Sequence, residues 1–321
     1  MSTYIITGAT GYIGSALTKA IKCKETDSEI VVLVRNEEKA YEMLPEGVHV
    51  LRADLTNWNM LEATVSHELS KCDYIIHCAS VTGSSEMINH PVEVIESIVN
   101  TTQNVLKLAR LMNIKSMVYL SSMEVYGKID CSDGHRVSKE KLGEIDVLKT
   151  RSCYPMGKRM AENICFSYYK EYGVPVKIAR LAQTFGSGVL PGETRVFAQF
   201  ARAVKDTKDI VLPTDGMSMG NYCGVEDAVS GIIVILQKGK NGEAYNVVNE
   251  ANTMSIRDMA QMVVDKFAGD HIKVVFDIPQ DNIYGYAANT GLLLSAGKLE
   301  SLGWKPSQSL EDMYRDVIRE L

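Results

Sequence analysis

The stretch Thr7-Gly8-Ala9-Thr10-Gly11-Tyr12-Ile13-Gly14 constrains the fold more than any other part of the chain. Three glycines at intervals of three stand between an apolar run at 4–7 and a segment in which Ile13, Ala16, Leu17, Ala20 and Ile21 recur at helical spacing. A strand turning directly into a helix uses the first glycine for the tight turn. The second lets backbone approach a pyrophosphate, and the third lets the helix pack close to the strand. The helix start then offers free N–H groups and the positive end of its dipole to an anion. Gly8, Thr10, Gly11, Tyr12, Ile13 and Gly14 are therefore the expected contacts of a dinucleotide's phosphates.

The rhythm of the first half agrees. Apolar runs at 4–7, 30–34, 48–51, 74–78, 117–121 and 176–179 are continuous rather than alternating, as in strands buried on both faces. Helical patterns separate them, so the expected fold class is α/β, a doubly wound parallel sheet. After Arg180 the β-α rhythm breaks, and 181–321 is expected to supply mainly a smaller C-terminal substrate lobe. Residues 1–180 make the dinucleotide-binding domain, which also receives about 225–250, where a helix (227–236) and a strand (244–248) are expected. Ser255 and Asp258 have capping-box spacing and open a helix running to Phe267.

Composition narrows the class. The 321 residues are 45% hydrophobic and 23% charged, ordinary globular values. The net charge of −6 gives no basic excess for nucleic acid. The seven cysteines include no C-x-x-C pair and read as free thiols in a reducing compartment. The six histidines lack ligand spacing, so no metal is expected. No apolar run reaches membrane length, and the N-terminus lacks a basic leader, which points to a cytoplasmic protein.

The second expected strand ends in Val34-Arg35 rather than in the acid that would bind the ribose hydroxyls of NAD. Arg35 suits a 2′-phosphate, which favours NADP(H) and leaves NAD as the alternative; Arg35 is otherwise a solvated loop residue. Asp54, followed by Leu55, either accepts from the adenine amino group or caps the next helix. Tyr154-Pro155-Met156-Gly157-Lys158 places a phenol and an ammonium on one helix face, where the lysine is expected to lower the phenol from its usual value of about 10. Ser122, at the C-terminal end of the fifth expected strand, would hydrogen-bond the same reacting oxygen, or else cap its loop. Residues 128–152 are expected to form a loop with a short helix over the site.

Together these segments resemble the extended short-chain dehydrogenase/reductase family, in its nucleotide-sugar epimerase/dehydratase branch. The resemblance implies a Rossmann domain with Tyr154 as acid/base, Lys158 as ribose ligand and tyrosine activator, and Ser122 orienting substrate. It puts Cys78, Ala79 and Ser80 on the cofactor-lining turn and implies a homodimer. Two departures bear on chemistry. The family's dehydratases carry Asp-Glu after the Ser/Thr, whereas this chain has Met123-Glu124. Glu124 is then either a contact to substrate hydroxyls or a structural cap. Gln183 replaces the asparagine of Arg-x-x-Asn-x-x-Gly, and Gly220 stands where the family's diphosphate arginine is expected. Arg195 is a candidate substitute, or else an exposed helix-start residue. Arg35 and Met123 together favour an NADP(H)-dependent reductase of a keto group on a nucleotide-activated sugar. The alternative is an NAD-dependent nucleotide-sugar epimerase or dehydratase with tightly held cofactor; a non-catalytic NADP-binding regulator is a third reading.

Overall fold

A computed structural model describes residues 2–138, 141–190, 192–278 and 291–321. The first half alternates strand and helix: β1 (Thr3–Thr7), α1 (Tyr12–Lys24), β2 (Glu29–Val34), α2 (Glu37–Met43), β3 (His49–Arg52), α3 (Trp58–Glu68), β4 (Tyr74–His77), α4 (Ser84–Asn89), α5 (Pro91–Leu111), β5 (Ser116–Ser122), α6 (Cys153–Tyr172) and β6 (Val176–Leu181). The second half adds β7 (Gln183–Phe185), α7 (Val196–Lys205), β8 (Ile210–Leu212), β9 (Met219–Gly220), β10 (Tyr222–Gly224), α8 (Val225–Lys238), β11 (Ala244–Val247), β12 (Met254–Ser255), α9 (Ile256–Phe267), β13 (Val274–Phe276), α10 (Gly297–Glu300) and α11 (Leu310–Glu320).

Seven strands form one parallel sheet in the order β11-β6-β5-β4-β1-β2-β3. Its continuous apolar runs divide by alternation. Ile6, Val32, Ile76 and Val118 face the side carrying α1 and α8, and Ile5, Val31, Ile75 and Met117 face the side carrying α3, α5 and α6. With both faces covered, neither register position tolerates a polar side chain, so the strands show no polar alternation. Strand order reverses between β1 and β4, and doubly wound sheets bind ligands in the crevice at that reversal.

The C-terminal lobe has its own core, where α7, α9 and α11 enclose Phe185, Phe197, Tyr222 and Tyr314. The Phe185 and Phe197 rings stack at 4.3 Å. At the expected cap of α9, Ser255 Oγ accepts from the Asp258 amide at 3.0 Å, but the fully reciprocal box forms at Ser309 and Asp312 on α11. The chain crosses back to the sheet through α8 and β11, which pairs with β6. Asp227 on α8 fixes the return: its buried carboxylate accepts from the Ser307 and Gln308 amides at 2.8–2.9 Å and from the Ser307 hydroxyl at 3.1 Å.

The described residues 128–138 and 141–152 form a strap after β5, tied by a bridge between Lys128 and Glu144. The short helix expected there is, among the described residues, one 3₁₀ turn at Thr150–Ser152; residues 139 and 140 lie outside them. The Arg159 guanidinium fastens the strap, donating to the carbonyls of Val125 at 2.7 Å and Gly143 at 2.6 Å.

Candidate active site

The glycine loop makes a tight cradle at the end of β1. Gly8 takes φ +68°, and a Cβ there would lie 2.7 Å from the Ala79 amide nitrogen. A Cβ on Gly14 would lie 2.2 Å from the Gly8 carbonyl oxygen, so α1 presses directly on the turn. Gly11 caps α1 with no side-chain hydrogen bond, so the first amides of the helix, beside Thr10, have no side-chain cap. The far wall is the turn Cys78-Ala79-Ser80 after β4. It is held by Thr7, whose Oγ1 accepts from the Ala79 amide at 3.2 Å and lies 2.7 Å from His77 Nδ1. A cradle with no side chain to fill it, at the reversal of strand order, fits a dinucleotide's phosphates.

At the ends of β2 and β3, Arg35 and Asp54 are exposed neighbours. Asp54 Oδ1 accepts from the Thr56 amide at 2.9 Å and the Thr56 hydroxyl at 2.7 Å. These bonds, with a smaller contribution from Arg35, hold its carboxyl below the ordinary range. Asp54 thus shapes the turn before α3, while Asn57 caps the helix itself. Leu55 beside it is buried.

The reacting groups expected from sequence converge where β5 ends. Tyr154 is buried in the first turn of α6, 6% exposed. Burial pushes its phenol well above the ordinary value and Glu124 adds to this; Ser122, Arg151 and Arg195 pull it back down. Lys158, the expected tyrosine activator, lies one turn further along α6. Its Nζ lies 5.8 Å from the Tyr154 ring centre and donates to the Leu120 carbonyl at 2.8 Å. Arg151 and Arg195 are cations that pull the phenol down against burial.

Burial itself holds Lys158 at about 8, below its ordinary 10.5. Its folded value lies below its unfolded one, so the unfolded chain binds more protons between those limits. The cost of burying Lys158 is full below about pH 8 and fades as pH rises toward 10.5. The unfolding free energy of the wild type, minus that of Lys158→Met, should therefore climb across this window in denaturant titrations. A flat difference would refute the assignment.

Glu124 follows Ser122 in a 3₁₀ turn and grips Arg151 bidentately, at 2.6 and 3.0 Å. Ser122 Oγ accepts from the Glu124 amide at 3.2 Å, so Ser122 caps that turn while its hydroxyl also acts on Tyr154. Arg195 caps α7, binds Glu193 at 2.6 Å, and lies over the Phe197 ring at 4.9 Å. Its charge favours the ionised phenols of both Tyr154 and Tyr12. Gln183 is exposed on β7. An arginine at 220 would require Tyr222 to move: a Cβ there would meet the Tyr222 hydroxyl at 2.2 Å. The phenol of Tyr222 fills the space that the missing side chain would need.

The chain matches the NAD dependent epimerase/dehydratase family over residues 4–248. It belongs to that family. It is 26% identical over 309 residues to UDP-glucuronic acid decarboxylase 6 of Arabidopsis thaliana, covering 96% of this chain and 85% of the relative. It is equally 26% identical over 270 residues to dTDP-D-glucose 4,6-dehydratase of Dictyostelium discoideum, covering 81% of this chain and 61% of that enzyme. Among solved structures it is similar to a UDP-glucuronic acid 4-epimerase from Bacillus cereus in complex with UDP-glucuronic acid and NAD. That match has a TM-score of 0.80 and 19% identity, covering 99% of this chain and 98% of the other. A dTDP-glucose 4,6-dehydratase from Bacillus anthracis in complex with NAD has a TM-score of 0.80 at 20% identity, covering 99% and 96%. Nothing in these matches favours the net reduction expected from Arg35 and Met123. The alternative, a nucleotide-sugar epimerase or dehydratase using NAD, fits them better.

Sequence reasoning assigned no role to Arg151, which grips Glu124, or to Glu162, which accepts from the Ser121 hydroxyl. For Glu162 a signal was present, since it follows Lys158 by four on the same helix face. Among the described residues, no group of three His, Cys, Asp or Glu side chains could hold a metal ion, and no helix is long and apolar enough to cross a membrane.

Proposed function

We propose that this family member uses NAD, held in the glycine cradle, to convert a nucleotide-activated sugar with no net consumption of cofactor. The observation that carries the reading is the convergence of Ser122, Tyr154 and Lys158 at the end of β5, beside the cradle formed after β1 and β4. The nicotinamide, when bound, supplies a hydride acceptor that later returns the hydride. Tyr154 takes the proton of the sugar hydroxyl and gives it back, while Ser122 holds the same oxygen. Lys158 keeps a positive charge behind them. Met123 occupies the position of the dehydratases' acid, which leaves epimerisation or decarboxylation as the intervening step. Decarboxylation of a uronic acid follows readily once a ketone stands β to its carboxylate. Arg195, released from Glu193, is the cation for the substrate's diphosphate in place of the arginine that Gly220 replaces, and Gln183 and Glu124 border the sugar.

The test is to incubate the protein with UDP-glucuronic acid, UDP-glucose and dTDP-glucose, following product by NMR and nicotinamide by absorbance. We expect a converted sugar and unchanged absorbance, with Arg195→Gln raising KM about tenfold, the weight of one charge-assisted contact of roughly 1.4 kcal/mol. Stoichiometric loss of NADPH would establish instead the reductase reading, which Arg35 at the end of β2 favours.

We further propose a homodimer built on α5 and α6, whose outer faces expose Val92, Ile95, Leu111, Met160 and Phe166. Light scattering should give twice the 35.5 kDa of one chain; a monomer at micromolar concentration would count against it.

A further inference from the structure

We propose that Glu162 is a positioning residue of this site: it fixes the end of β5 that carries Ser122 and sets a carboxylate one helical turn beyond Lys158. The inference rests on the functional reading above and adds to it a residue that touches neither substrate nor cofactor.

Three consecutive residues of β5 are each tied to one residue of α6. The Leu120 carbonyl accepts from Lys158 Nζ at 2.8 Å. The Ser121 hydroxyl donates to Glu162 Oε1 at 2.6 Å. The Ser122 hydroxyl lies close enough to Tyr154 to act on its phenol. Residues 154, 158 and 162 are spaced by four and share a helix face, so the match is one of register between strand and helix. The middle tie is anchored from a third element: Arg180 on β6 donates to Glu162 through Nε at 2.9 Å and through Nη2 at 2.7 Å. Its guanidinium lies over the Tyr126 ring at 4.9 Å, and the Tyr126 hydroxyl donates to Asn246 at 2.7 Å. The lock thus extends to β11.

Glu162 also supplies charge. The groups around Lys158 are His77 on β4, Cys78 in the turn after it, Tyr119 on β5 with its ring 4.8 Å from Nζ, and Tyr154, Glu162 and Cys165 on α6. Burial holds His77 down at about 3 and pushes Cys78 up to about 12, so both are neutral at physiological pH. The Cys165, Tyr119 and Tyr154 side chains are raised by burial too. Among these groups Glu162 is the anion. A buried ion pair such as Glu162–Arg180 is a weak device for stability, because desolvation offsets its attraction. Its effect should therefore appear on its neighbours.

The experiment reads Lys158 directly. In the full chain labelled at lysine Cε, the Lys158 NMR signal is assigned by its loss in Lys158→Met, and its titration midpoint is compared in wild type, Glu162→Gln and Glu162→Asp. Glu162→Gln should lower the midpoint by about one pH unit, a tenfold change in ionisation, and Glu162→Asp should restore part of it. The alkaline limb of kcat should move by the same amount with KM unchanged. An unmoved midpoint in folded Glu162→Gln overturns the proposal. Should that variant fail to fold, Glu162→Gln/Arg180→Met removes both charges together and is judged by the same midpoint. Failure of the wild type to convert any nucleotide sugar would defeat the functional reading, while the midpoint would still decide the role of Glu162.

Discussion

Replacing Tyr154 by Phe should reduce turnover by about 10²–10⁴-fold, the span that a positioned acid/base supplies, while leaving the fold and cofactor affinity nearly unchanged. The ring is buried and the phenylalanine keeps all of it, so only the hydroxyl is lost. That hydroxyl is the group that Ser122, Arg151 and Arg195 act on together against burial and Glu124. Because burial keeps the phenol protonated through neutral pH in the free protein, the oxidation step should quicken as pH rises. Removing the Arg195 charge should shift that rise further toward alkaline pH. Stopped-flow spectra of bound nicotinamide would follow the half-reaction directly. Near wild-type turnover in Tyr154→Phe would remove Tyr154 from the chemistry and return the non-catalytic reading to contention.

The second large effect is expected from a single methyl group. Gly14→Ala would place its Cβ 2.2 Å from the Gly8 carbonyl oxygen and 2.9 Å from the Ala9 Cα, so α1 must move off β1. Overpacking of this kind costs about 1–3 kcal/mol of stability. The larger loss should be in binding, because displaced α1 amides no longer converge on the phosphates. We expect NAD affinity to fall about 100-fold, roughly 2.8 kcal/mol. Isothermal titration beside a thermal melt separates the two losses. Unchanged affinity would mean that the cradle does not hold the dinucleotide.

The residues that sequence reading placed well are those whose signal is local. The glycine spacing, the apolar runs and the Tyr154/Lys158 pair each lie within one element or one turn, and β1, β2 and β5 start and end within a residue of expectation. What escaped depends on contacts between distant elements. That Lys158 is directed at the Leu120 carbonyl, 38 positions away, follows from how α6 lies on β5, which no spacing along α6 reveals. The fate of Gly220 was legible only as a loss. The structure shows a phenol from Tyr222 two residues on, folded back over it. Arg151 gave no sign in sequence because its meaning lies in Glu124, across the strap.

The return of the chain through α8 and β11 decides how this protein can be divided. A fragment ending at 180 would leave β6 with a bare row of amides and carbonyls where β11 now pairs, an invitation to edge-to-edge association. It would also remove Asn246, the acceptor of the Tyr126 hydroxyl. A fragment ending before 307 would strip the Asp227 carboxylate of the amides that solvate it in the interior. The sheet and the C-terminal lobe are thus expected to unfold as a single unit. Unfolding by denaturant should be one transition in which the lobe's tyrosines and the sheet are lost together.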